Sequence, residues 1–109
     1  MRIVLGSVAA AIAVSGCAFV PKAYPRLDEA REAHMRAAAD PEVALHASAE
    51  LRVAAEALES AVAARNTLAD PAVVDHLAYV AKQRAVISIE VASLRSTCAG
   101  RRSPRGWCR

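Results

Sequence analysis

The histidines His34, His46 and His76, with Glu42 and Asp75 near two of them, are the side chains of this chain best equipped to hold a divalent metal or move a proton. No pair among them is expected to turn two ligands toward one ion at the i, i+4 spacing of a helical metal motif. Asp75 and His76 are sequence neighbours, so on a helix they point to different faces and do not form a dyad. No glycine-rich phosphate loop follows a strand pattern, and no serine or cysteine has a recognisable base nearby. The residues therefore predict a non-enzymatic chain with no metal and no cofactor.

The cysteines carry different chemistry. Cys17 closes the run Val14-Ser15-Gly16-Cys17, which follows Met1-Arg2 and an apolar stretch from Ile3 to Val14. Twelve or so apolar residues suit the hydrophobic region of a cleaved leader, roughly 7–15 long, and fall short of the ~20 that span a bilayer. Small Ser15 and Gly16 in front of the cysteine match the lipobox of a bacterial lipoprotein signal peptide. Residues 1–16 are then the leader, and Cys17 is the lipidation site, its thiol carrying a diacylglyceryl group and its new amino terminus a further acyl chain. Two or more chains anchor stably, because each buried CH₂ contributes about 0.8 kcal/mol. Residue 18 is Ala, not the Asp that favours inner-membrane retention, so the expected address is the outer membrane, facing the periplasm.

About ninety residues follow Cys17, enough for one small domain with a thin core. The hydrophobic fraction of 55% overstates that core, because nearly half of it is alanine and aromatics make up only 4%. Alanine favours helix but buries little area. The net charge of +3 is also unevenly placed. Arg101, Arg102, Arg105 and Arg109 crowd the tail, whereas Ala18 to Thr97 holds nine basic and eleven acidic residues. A mildly acidic body gives no basic stripe and predicts no nucleic-acid partner.

The elements follow from caps and spacing. Residues 17–25, with Pro21 and Pro25, read as the lipidated cysteine and a short extended tether. A first helix is expected from about Arg26 to Ala39, with Leu27, Ala30, His34 and Ala37 on an inner edge too poor in large residues to pack early. Asp40-Pro41 and Asp70-Pro71 repeat one device, an aspartate cap followed by proline in the first turn, and each is followed by a histidine at the same distance. A second helix is expected over Pro41–Asn66 with a seam of Leu51, Ala55, Leu58 and Val62. A third, over Pro71–Arg95, carries the heptad-like stripe Val73, Leu77, Val80, Ile87, Val91 and Leu94, broken only by Arg84. Arg84 is expected either to lay its stem over the seam or to pair with Glu56 or Glu59. The fold expected for residues 26–95 is all-α, an antiparallel helical hairpin or a three-helix bundle.

Tyr24-Pro25-Arg26-Leu27-Asp28-Glu29-Ala30-Arg31 together with Asp75-His76-Leu77-Ala78-Tyr79-Val80-Ala81-Lys82-Gln83-Arg84 resembles the domain of unknown function 4398, over roughly Cys17 to Leu94. The resemblance implies an Ala-rich helical module of Gram-negative envelope lipoproteins. Longer members join it to a C-terminal OmpA-like domain that holds peptidoglycan. This chain stops where that domain would follow, so peptidoglycan binding carries over to no residue here.

Residues 96–109 lose the helical period and concentrate Arg, Gly and Cys around the only tryptophan, Trp107. Three origins compete: a basic tail on anionic lipid, a small loop closed by a Cys98–Cys108 disulfide, or out-of-frame translation in place of a longer C-terminal domain. The expected function is a lipid-anchored structural or adaptor module of the envelope, with an envelope protein or a second copy as its partner. The alternative is a periplasmic chaperone or binding module that holds apolar segments on the seam of Leu51, Leu58, Val62, Val73, Leu77 and Val80.

Overall fold

The computed structural model describes residues 23–100. They form four helices and no strand: α1 (Pro25–Ala39), α2 (Pro41–His46), α3 (Ser48–Asn66) and α4 (Pro71–Gly100). The all-α expectation holds, and the arrangement is a bundle of three arms whose second arm is broken. Leu27 and Ala30 of α1 meet Ala61 near the end of α3 and Ala78 and Ala81 near the start of α4. Ala33 and Ala37 meet Ala54 and Ala85, and Val43 and Ala47 meet Ala92. The three layers make α3 antiparallel to both α1 and α4, with α2 as the corner near the end of α4.

The same chemistry starts α2 and α4. Asp40 Oδ1 accepts from the Glu42 N–H at 2.9 Å, and Asp70 Oδ1 from the Ala72 N–H at 2.8 Å. Each cap satisfies one donor that the first turn leaves unpaired, with Pro41 or Pro71 in the turn where its missing N–H is harmless. The expected inner edge of α1 gains Ala33, and Leu27 is among the largest fully buried side chains, so α1 is a full member of the bundle.

Two boundaries differ from expectation. The helix expected over Pro41–Asn66 breaks at Ala47, which is fully buried at φ −138° and ψ 33°. No glycine or proline announces this break. The chain must turn there to pass from α1 to α3, and Ala47 is small enough to be pressed against Val43 and Ala92 while it does so. At the other end, α4 does not stop at Arg95 but runs through Ser96, Thr97 and Cys98 to Gly100, 30 residues or about 45 Å long.

The core line of α4 also differs. The buried positions are Val74, Ala78, Ala81, Ala85, Ser88 and Ala92, spaced alternately by four and three. This is the expected stripe moved by one residue, about 100° around the helix. Two neighbouring helices close on α4 together, and the smallest residues occupy the line between them, where axes come nearest. Larger side chains take the margins: Leu77, Val80 and Val91 are half-buried, and Val73, Ile87 and Leu94 are exposed. Ser88 fits the line because its hydroxyl donates to the Ala85 carbonyl of its own helix at 2.6 Å.

Candidate interaction surfaces

The side chains singled out for metal or proton chemistry do not converge. Contrary to the expectation of no such pair, Glu42 and His46 stand four residues apart, and their side chains meet at 3.5 Å on the short helix α2. His34 is half-buried, with Nδ1 enclosed and without a hydrogen-bond partner among the described residues, while His76 is exposed. Among the described residues, no three His, Cys, Asp or Glu side chains gather as metal ligands.

The seam expected to hold a partner is largely engaged within the bundle. Leu58, Val62 and Leu77 pack against the layer built from Leu27, Ala30, Ala61, Ala78 and Ala81, and Leu51 packs against the two deeper layers. Val80 is half-buried, and Val73 alone of the six is exposed, at 47%. Arg84 is exposed and takes part in none of the ion pairs among the described residues, so the expected bridge to Glu56 or Glu59 is absent.

Other charges carry the contacts between helices. Arg95 reaches from α4 across the corner: Nη1 donates to the His46 carbonyl at 2.6 Å, and Nη2 donates to Glu50 Oε1 at 2.8 Å. One guanidinium thus satisfies the end of α2 and holds a carboxylate in the first turn of α3. A backbone hydrogen bond, then the Arg95 contacts, hold the Glu50 carboxyl below the ordinary glutamate range. Nearer the start of the bundle, Lys82 Nζ donates to Glu29 Oε2 at 3.0 Å. That pair lies in a shallow hollow of about 270 Å³ lined also by Arg26 and Tyr79.

The turn between α3 and α4 has a feature that the sequence did not flag. Its Ala69 N–H donates to the Ala64 carbonyl and its Leu68 N–H to the Arg65 carbonyl, at 3.0 and 3.2 Å, the paired bonds of a Schellman helix end. The left-handed position in that motif belongs ordinarily to glycine, yet here it is Leu68, at φ 56° and 91% exposed. The signal was the lack of any glycine between Asn66 and Asp70, which leaves a leucine or alanine to take the strained position.

Cys98 lies on the last turn of α4 and is disulfide-bonded. Cys108, its expected partner, and the lipidation site Cys17 lie outside the described residues. No helix among the described residues is long and apolar enough to cross a membrane.

No curated protein and no solved structure matches this chain. A family model described as a domain of unknown function, DUF4398, matches residues 25–100, from the first residue of α1 to the last of α4. With the whole bundle covered, the chain belongs to the DUF4398 family.

Proposed function

We propose that this chain is a lipid-anchored, non-catalytic helical module of a Gram-negative cell envelope, held on the periplasmic face of the outer membrane by acylated Cys17 and serving as a structural or adaptor element. The observation that carries this reading is Val14-Ser15-Gly16-Cys17 behind a short apolar run, eight residues ahead of the first helix at Pro25. Two or more acyl chains hold such a module on a bilayer without a spanning helix. The alanine-lined core supports a strut rather than a container, since helices that pack this closely leave little interior to fill. The cargo-holding alternative has less support, because Leu51, Leu58, Val62 and Leu77 already pack within the bundle.

The test is the intact mass of the protein extracted from membranes, taken before and after reduction. The expected species begins at Cys17 and carries its acyl groups. A chain that retains Met1, or begins at Cys17 without lipid, overturns the reading. Cys17→Ala should abolish acylation and release the protein from the membrane fraction.

A further inference from the structure

We infer that the turn between α3 and α4 rests on a lipid surface, the leaflet that holds Cys17, with the Leu68 side chain inserted at the interface. The inference rests on the lipid-anchor reading and adds an orientation and a second contact to it. Leu68 is the most exposed large apolar residue of the described bundle, at 91%, and occupies a backbone conformation that costs an L-residue free energy. Val73, in the first turn of α4, adds a second exposed apolar side chain at the same end.

Position supplies the partner. The layer of Leu27, Ala30, Ala61 and Ala78 fixes which end of the bundle holds Pro25, and the same end holds the α3–α4 turn. Leu68 lies seven residues beyond Ala61, so the tip projects past the start of α1. The eight residues from Cys17 to Pro25 reach at most about 28 Å when fully extended. An anchored Cys17 therefore keeps this end near the bilayer, and the tether is long enough for the tip to touch it. The two ends of α4 are not equivalent in this respect: Leu94, also exposed, lies about 32 Å along the helix from Val73.

The experiment uses the full acylated chain in vesicles of phosphatidylethanolamine and phosphatidylglycerol, with acyl-brominated phosphatidylcholine as quencher. Trp107→Phe removes the native tryptophan, and Leu68→Trp or Leu94→Trp supplies a single reporter. The expected result is blue-shifted emission and several-fold stronger quenching for Leu68→Trp than for Leu94→Trp, with helicity unchanged by circular dichroism. Equal quenching at the two sites, or none at either, in a chain that floats with the vesicles overturns the contact while leaving the anchor standing. Stronger quenching at Leu94→Trp overturns the orientation. A chain that carries no lipid and does not float overturns the anchor and the contact together.

Discussion

Val74 is fully buried in the bundle while Val73, its neighbour in the chain, remains 47% exposed. The boundary between core and surface on α4 runs between these two valines and continues between each larger residue and the small one after it, as at Leu77 and Ala78, Val80 and Ala81, and Ile87 and Ser88. Substitutions on the two lines should therefore behave oppositely to their hydrophobicity. Ala85→Leu adds three carbon atoms where α1 and α3 close on α4, and should destabilise by about 1–3 kcal/mol or prevent folding. Ile87→Ala, on the exposed margin, should change stability by less than about 1 kcal/mol. Urea denaturation of the two variants decides between this core line and the large-residue stripe.

The helix starts offer an independent pair of measurements. Asp40→Ala and Asp70→Ala each remove an oxygen that accepts from a first-turn N–H, and each should cost about 0.5–2 kcal/mol. They sit on different helices and share no partner, so the double variant should show nearly the sum. A double variant no worse than either single one would mean that the caps act through a common element.

At the other end of α3, Leu68→Gly should stabilise by about 0.5–1 kcal/mol, because glycine takes φ 56° without the penalty that leucine bears, and an exposed side chain gives up no packing. Thermal unfolding in the absence of lipid reads this directly. Leu68→Val should move the melting temperature the opposite way, since a branched β-carbon tolerates the left-handed region least.

Glu50 gives the bundle an acid-side dependence whose sign is set by its lowered carboxyl. The folded state holds this group ionised below the ordinary value of 4.5, so the contribution is fully present above that value and is lost as pH falls through the folded one. Glu50→Gln should be less stable than the parent at neutral pH, and the difference should shrink on acidification. Arg95→Met should weaken the same dependence without abolishing it, since the backbone hydrogen bond to Glu50 remains, and should also speed amide exchange across Ala47 and the residues of α2, because the His46 carbonyl loses its donor. Equal pH profiles for parent and Glu50→Gln would mean that the Glu50 carboxylate contributes nothing to folding.

The parts of this fold that depend on local chemistry were legible in the sequence. Asp-Pro twice over, alanine-rich stretches between, and heptad-like spacing were enough to place three helical arms and an all-α bundle. What could not be read was set by contacts between segments far apart in sequence. Hydrophobicity ranks Val80 and Ile87 above Ala81 and Ser88, but the geometry of two helices meeting a third rewards low volume at the centre. The break at Ala47 has no breaker residue, and the His46 carbonyl beside it accepts from Arg95, nearly fifty positions away. Of the surface candidates, Val73 stayed exposed, whereas most of the proposed seam serves the interior.

The alanine line of α4 also bears on how the protein responds to heat. Its contacts come largely from backbone and methyl groups in close approach, so unfolding exposes modest apolar area for the number of residues involved. Heat capacity of unfolding and denaturant sensitivity both scale with that area. The bundle should have a shallow stability curve, its free energy of unfolding bending little between cold and warm.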